Sequence, residues 1–195
     1  SSIQQLDEAD AILIVGANPR WEASVLNTRI RKAYLHNDCK IGLIGKSLDL
    51  TYQYNHLSES LCFLNEIFED KSSFCEILNK AKKPFLILGS SAINGEDGED
   101  VLDLCAQITK KFNISKDNWN GFNILQQDIS KVGALDIKFY NKVFSTNFDK
   151  NVKKHLDTYK PVIFLLGSDE LNHSILENAF VVYIGHHGDN SAQIA

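Results

Sequence analysis

The stretch Ala11-Ile-Leu-Ile-Val15, followed by Gly16-Ala-Asn-Pro-Arg20, decides the fold. A short run of consecutive apolar, mostly β-branched residues that ends at a glycine is typical of a parallel strand buried on both faces. Asn18 can cap a helix that begins at Pro19, a residue suited to the first helical position. The stretch therefore predicts the first βα unit of a parallel sheet.

The helix after this strand is predicted to be amphipathic. Apolar residues recur at the spacing of one helix face and are expected to pack on the sheet. They are Trp21, Val25, Leu26, Ile30 and Ala33.

Four later stretches repeat the pattern of an apolar run followed by glycine, and the segments between them are long enough for crossover helices. The predicted strands are Ile41–Ile44, Pro84–Leu88, Val162–Leu166 and Phe180–Ile184. Helices are predicted over Leu61–Phe68, Phe74–Leu78 and Val101–Phe112, near Asp128–Gly133 and near Val152–Tyr159, and a glycine-interrupted loop over Asn118–Leu125. This alternation predicts an α/β fold: an open, doubly wound, mostly parallel sheet with helices on both faces.

Composition limits the class of protein. The 195 residues are 44% hydrophobic and 23% charged, which favours one folded domain over disorder. No apolar run approaches the ~20 residues of a membrane helix. The net charge of −5 and the scattered lysines argue against nucleic-acid binding. The chain has no methionine, as expected of a segment of a longer protein.

The cysteines do not have metal-binding spacing. Cys39, Cys62, Cys75 and Cys105 include no CxxC pair, and zinc ribbons and iron–sulfur runs need closely spaced cysteines. Free thiols in a reducing compartment are the favoured interpretation.

Small and polar residues follow every predicted strand, and in an open α/β sheet ligands bind outside the carboxyl ends of the strands. The stretch Ile41–Ser47 resembles a phosphate loop, but Lys40 occupies the position of the required first glycine. The residues Gly16–Pro19 lack the spaced glycines of a dinucleotide fingerprint. The small and polar stretches that follow the predicted strands are Gly16–Arg20, Gly45–Ser47, Gly89–Ser91, Gly167–Glu170 and Gly185–Asp189.

The arginines are clustered. The chain has 17 lysines but only Arg20, Arg29 and Arg31 as arginines, all within twelve residues. The cluster indicates either a place where the planar, bidentate guanidinium of arginine is needed or an ordinary helix with solvated charges. These alternatives stay open. Arg20 lies near a helix N-terminus, where it would either face an anion or, as is favoured, pair with a buried carboxylate.

His186, His187 and Asp189 allow a metal-site interpretation. Adjacent residues at a strand end point to opposite sides, which makes chelation of one ion by both histidines awkward. A turn or packing role is therefore favoured over a metal site.

Several stretches together resemble one known family. They cover essentially the whole chain in order, and the WNGFN and GHHGD stretches are the most specific. They are Asn18–Ala23, Val25–Lys32, Asp49–Tyr52, Lys83-Pro84, Leu88–Ser90, Trp119–Asn123, Val132–Asp136, Leu165–Glu170 and Val182–Asp189. The family is the molybdopterin-oxidoreductase-like domain of the large iron–sulfur subunit of respiratory complex I, NADH:quinone oxidoreductase.

The resemblance implies a structural, non-catalytic segment, truncated at both ends, of a subunit that supports electron transfer from NADH to quinone. It implies that the iron–sulfur clusters lie in an N-terminal part outside this chain, and that the chain itself holds no cofactor, no metal and no catalytic residue. The implied partners are other peripheral-arm subunits of complex I, on the cytoplasmic side of the bacterial inner membrane, with no nucleic acid and no direct membrane insertion.

In the wider superfamily a molybdopterin cofactor lies along the strand ends, and in the complex I subunit the resemblance implies a vestigial rim there. A functional molybdopterin- or nucleotide-binding oxidoreductase domain is the alternative. The candidate rim residues are Gly16, Asn18, Arg20, Gly167, Asp169, Gly185, His186 and Asp189.

Overall fold

The computed structural model describes residues 2–126, 129–138, 160, 162–168, 176 and 179–195. The chain divides into two compact units, Ser1–Lys131 and Val132–Ala195, which are described separately. The predicted helix near Val152–Tyr159 lies outside the described residues. Among the described residues, no helix is both long enough and apolar enough to cross a bilayer.

The first unit is built on a five-stranded sheet. Its strands are β1 (Ala11–Val15), β2 (Lys40–Ile44), β3 (Asn55–Ser58), β4 (Pro84–Gly89) and β7 (Phe122–Leu125). They lie in the order β3-β2-β1-β4-β7, and every neighbouring pair is parallel. β1 lies at the centre and is buried along its whole length, with Leu13 opposite Gly42 on one side and Leu86 on the other. Two short strands, β5 (Ser115–Lys116) and β6 (Trp119–Asn120), pair antiparallel beside this sheet.

Helices cover both faces of this sheet because side chains alternate along the buried strands. These helices are α1 (Pro19–Glu22), α2 (Ser24–Asn37), α3 (Phe63–Phe68), α4 (Phe74–Lys80), α5 (Ser90–Ile93) and α6 (Gly98–Lys111). Leu13 and Val15 pack with α3, α4, α5 and α6, whereas Ile12 and Ile14 pack with α2 and the 3-10 helix Ile3–Glu8. The doubly wound parallel fold predicted from the sequence is therefore confirmed.

The predicted first helix is interrupted. Ala23 has an extended φ of −152° and separates α1 from α2, so Trp21 does not share one continuous helix with Ile30 and Ala33. Ile30 and Ala33 are buried as expected, but Trp21 is 83% exposed and Val25 65% exposed. The prediction that all five apolar residues of this helix pack on the sheet was wrong for these two.

The predicted loop Asn118–Leu125 contains strand structure instead. β7 pairs with β4 at the edge of the main sheet, and the indole Nε1–H of Trp119 donates to Pro84 O at 2.9 Å. The Trp119 ring meets Phe85 edge-on, with the ring centroids 5.0 Å apart. No long apolar run marks this stretch in the sequence, because β7 is an edge strand whose residues are only half-buried.

The second unit contains a parallel pair, β8 (Val162–Leu166) and β9 (Phe180–Ile184). One face packs in a small cluster with Leu165 and Val181, whereas Phe164 is 62% exposed on the other. The expectation of burial on both faces is therefore not met among the described residues. Helix α7 (Ile129–Asp136) lies where a helix near Asp128–Gly133 was predicted, and a short helix, Asn190–Ile194, follows β9.

Candidate functional site at the strand ends

A cavity of about 410 Å³ lies at the carboxyl ends of β1 and β2, where the sequence predicts the rim. Residues from the loops after β1 and β2, from the end of β3 and from α5 line it. They are Gly16, Ala17, Asn18, Glu22, Gly45, Lys46, Leu48, Glu59, Leu61, Ser91 and Ala92. Gly16 and Asn18, two of the candidate rim residues, therefore share one cavity.

Close backbone packing closes the floor of this cavity. Gly16 has a φ of +56°, and its N–H donates to Ile44 O at 2.8 Å. A Cβ on Gly16 would lie 2.6 Å from the Cβ of Ala92, and one on Gly89 would lie 2.1 Å from Gly16 O. Both glycines are required because the ends of β1 and β4 touch here.

Three donors around the cavity already have acceptors within the protein. The Asn18 N–H donates to Glu22 Oε1 at 2.6 Å, the Gly45 N–H donates to Ser58 O at 2.8 Å, and Ser91 Oγ donates to Gly16 O at 2.8 Å. A phosphate at a helix N-terminus needs such N–H groups to be available. Here Glu22 supplies the anionic acceptor from the protein itself.

The charges of the cavity also disfavour an anion. Glu22 and Glu59 line it with one cation, Lys46. The side-chain oxygen Oδ1 of Asn18 is buried and has no hydrogen-bond partner among the described residues, and it is an acceptor. The donor set of this cavity does not fit the phosphate group of an anionic cofactor.

Arg20 lies outside the lining of this cavity and pairs with Asp49. Its Nη1 donates to Asp49 Oδ2 and, at 3.0 Å, to the backbone oxygen of the same residue. The hydrogen bond from Arg20 is the main reason that the pKa of Asp49 lies below its usual range, with the backbone N–H of Thr51 a second cause. Arg20 therefore pairs with a carboxylate, as the favoured interpretation holds, but this carboxylate is exposed and not buried as expected.

The other two arginines make separate attachments. Arg31 Nη1 donates to Thr51 O at 2.7 Å, and Arg29 Nη1 donates to Asp7 Oδ2 at 2.7 Å. Arg20 and Arg31 thus fix the segment after β2 on the helices, while Arg29 fixes the 3-10 helix. The three arginines therefore have three different partners, Asp49, Asp7 and Thr51, and do not form one common site for a planar, bidentate guanidinium.

A buried amide strengthens the same attachment. Asn27 is only 5% exposed, and its Nδ2 donates to Leu50 O at 3.1 Å. Its Oδ1 accepts from the hydroxyl of Tyr52 at 2.9 Å. Burial is the main cause that raises the pKa of Tyr52, so this hydroxyl stays a donor.

In the second unit, Gly167 and Gly185 follow β8 and β9 directly, and the Gly167 N–H donates to Ile184 O at 2.8 Å. Asp189 is the N-cap of the terminal helix: its Oδ1 accepts from the Ala192 N–H at 2.9 Å. The hydroxyl of Tyr183 donates to Asp189 Oδ2 at 2.6 Å, which is the main cause that lowers the pKa of this carboxyl.

The rings of His186 and His187 contact each other at a tilted angle of 60°, with ring centroids 4.2 Å apart. Among the described residues, no group of three His, Cys, Asp or Glu side chains could hold a metal ion. Asp189 thus caps the terminal helix, and His186 and His187 lie in the segment between β9 and that helix. Asp169 and Glu170, the remaining residues of the predicted rim, lie outside the described part of the chain.

Two carboxylates of the first-unit cavity were missed by the sequence analysis. Glu22 follows the predicted cap Asn18 by four residues, and an acid in the first turn of a helix is a usable signal for a carboxylate that accepts from the cap. Glu59 follows β3, a strand that the sequence analysis did not predict because Asn55–Ser58 is short and polar.

The four cysteines are free thiols. Cys39, Cys75 and Cys105 are buried, and Cys62 is exposed. Burial is the main cause that raises the pKa of Cys105 to about 12, which agrees with unreactive structural cysteines.

A family model described as molybdopterin oxidoreductase matches residues 1–195.

Curated relatives match over nearly the whole chain. The NADH-ubiquinone oxidoreductase 75 kDa subunit of Reclinomonas americana is 38% identical over 99% of this chain and 27% of its own length. The mitochondrial 78 kDa subunit of Candida albicans is 39% identical over 100% of this chain and 26% of its own length. An NADH-quinone oxidoreductase subunit of Rickettsia bellii is 39% identical over 98% and 27%. The chain spans about a quarter of the length of these relatives.

Proposed function

The chain belongs to the molybdopterin oxidoreductase family, and from this premise we propose that it is a structural segment of the large subunit of NADH:quinone oxidoreductase. In this role it supports electron transfer from NADH to quinone in the parent complex without catalysing a step itself. One observation carries the proposal: each of three relatives that aligns with at least 98% of this chain has the name of such a subunit.

The cavity at the strand ends supports the non-catalytic part of the proposal. Glu22 occupies the anionic position at the N–H of Asn18, and Glu59 adds a second negative charge beside Lys46. A cofactor with a phosphate group would have to displace one carboxylate and lie against the other. We therefore propose that this segment holds no molybdopterin.

The proposal also covers the partners and the location of the segment. The segment contacts other subunits in the peripheral arm of the complex, on the cytoplasmic side of the bacterial inner membrane. The iron–sulfur clusters of the parent subunit lie outside residues 1–195. The closest-spaced cysteines of this chain are Cys62 and Cys75, too far apart in sequence for a cluster-binding run.

The proposal is tested by native electrophoresis of solubilised membranes from cells that express an epitope-tagged form of the protein. The tagged protein is expected to migrate with the band that oxidises NADH in the gel. Migration apart from that band would overturn the proposal. A matched pair of variants, Gly89→Ala and Gly95→Ala, shows whether incorporation into this band depends on the fold of the segment. A Cβ collides with backbone at Gly89 and meets nothing within 4 Å at Gly95.

A further inference from the structure

A second groove lies in the first unit between the start of α3 and the first turns of α6, next to the strand-end cavity, with which it shares Leu61, Ser91 and Ala92. Its volume is about 640 Å³. Apolar side chains from α3, from α6 and from the residue pair before α3 form its floor: Leu61, Leu64, Val101 and Leu104. Leu64 and Val101 belong to the buried core, while Leu61 and Leu104 are partly exposed, so the floor offers accessible apolar surface.

One wall of this groove is acidic. We call it the acidic wall: Glu96, Asp97, Asp100 and Asp103. No Lys, Arg or His lines the groove among the described residues. None of the four carboxylates is in an ion pair within the described part of the chain, where eight other ion pairs form.

Helix capping does not account for the acidic wall. Asp97 is the N-cap residue of α6, yet its side chain makes no capping hydrogen bond. Asp103 lies beyond the first turn of α6, where the favourable effect of the helix dipole on an acid has faded. The described residues also contain no cluster of three ligands that could hold a metal ion, so a cation site does not account for the wall.

We propose that this groove binds a basic amphipathic helix of another polypeptide. Apolar residues of that helix would lie on the floor, and its Lys or Arg side chains would neutralise the acidic wall. Charge complementarity selects this occupant, because nucleic acid is repelled by four unpaired carboxylates and a purely apolar segment would leave them uncompensated. This proposal does not rest on the proposed function.

Cys62 gives a local readout. It lines the groove and is the exposed thiol among the four cysteines, whereas Cys39, Cys75 and Cys105 are buried. The experiment measures the rate at which a maleimide modifies Cys62 in the whole purified chain, with and without a synthetic amphipathic peptide of Leu and Lys at helical spacing. The same peptide with Glu in place of Lys is the control probe.

A pair of double variants tests the acidic wall. Asp100→Asn with Asp103→Asn removes two wall charges, and Glu66→Gln with Glu99→Gln removes two exposed charges that do not line the groove. The Leu/Lys peptide is expected to slow Cys62 modification several-fold, and the wall variant to raise its Kd about three- to tenfold, as for the loss of two exposed charge pairs.

Three results would overturn the proposal. The first is an unchanged rate of Cys62 modification at saturating Leu/Lys peptide. The second is an equal loss of affinity in both double variants, which would show general attraction to an acidic protein. The third is protection of Cys62 that rises with protein concentration in the absence of peptide, which would show that a second copy of the chain occupies the groove.

Discussion

The carboxylate oxygen Oε1 of Glu22 lies 2.6 Å from the backbone nitrogen of Asn18, at the carboxyl end of the central strand. This contact places a negative charge of the protein where an open α/β sheet offers N–H groups to an anionic ligand. The Asn18 N–H thereby has its acceptor within the protein, and the segment can keep the fold without a ligand in this cavity.

Replacing Glu22 with Ala is expected to destabilise the protein by about 0.5–1 kcal/mol, because the Asn18 N–H loses its acceptor. The free energy of unfolding in urea measures this change. Glu66→Ala is the matched control, since Glu66 is exposed and in no ion pair among the described residues. An equal effect of both substitutions would show that the contact contributes nothing.

Gly89→Ala is expected to cost at least about 1–3 kcal/mol, because the new Cβ meets the backbone of Gly16 and must displace one of two central strand ends. Gly95→Ala is expected to change the urea midpoint little, since nothing lies within 4 Å of its Cβ position. Equal midpoints for the two variants would contradict the close approach of β1 and β4.

Tyr52→Phe is expected to cost about 1–2 kcal/mol, because the buried Oδ1 of Asn27 loses its donor. Tyr34→Phe provides the control: Tyr34 lies beside Tyr52, with ring centroids 6.2 Å apart, and its hydroxyl makes no hydrogen bond among the described residues. Thermal unfolding of both variants measures the difference. An equal or larger loss for Tyr34→Phe would show that the hydrogen bond from Tyr52 to Asn27 contributes no more than a hydroxyl without a partner.

Arg20→Lys is expected to change stability little. The pair of Arg20 with Asp49 is exposed, at 42% and 78% for the two side chains, and solvent weakens such pairs. A large drop in the urea midpoint would mean that the guanidinium of Arg20 fills a role that a lysine ammonium cannot, which would reopen the planar-cation interpretation.

The contribution of Asp7 depends on pH. A hydrogen bond from Lys32 is the largest cause that lowers its pKa below the usual 3.8, with Arg29 acting in the same direction. A depressed pKa in the folded state adds stability that is present above the unfolded value and is lost as the pH falls through the folded value. Asp7→Asn should therefore destabilise the protein equally at about pH 5 and about pH 7, and progressively less below the unfolded pKa. A destabilisation that does not change with pH would contradict this.

Much of the first unit could be predicted from sequence because its central strands are apolar on both faces. β1, β4 and the part of β2 after Lys40 are uninterrupted apolar runs. They are followed by or end at Gly16, Gly89 and Gly45. The edge strands β3 and β7 could not be found in this way, since Asn55–Ser58 is polar and Phe122–Leu125 is only half-buried. Edge strands are specified by the neighbour they pair with, which a local pattern does not reveal.

The strand-end cavity was predicted in part. Gly16 and Asn18 line it as expected, because strand ends in a parallel sheet meet at one edge. Glu59 was missed with the strand that precedes it, and Arg20 was placed at the rim although Asp49, distant in sequence, draws it away. The exposure of Trp21 could not be predicted either, since it depends on the backbone break at Ala23.

The molybdenum content of the NADH-oxidising complex tests the central claim most directly. The tagged protein is isolated from solubilised membranes in the band that oxidises NADH, and molybdenum is measured by mass spectrometry relative to the tagged chain. We predict that the chain is present in this band and that molybdenum is far below one atom per chain. About one molybdenum atom per copy of the chain in this band, or absence of the chain from the band, would contradict the account.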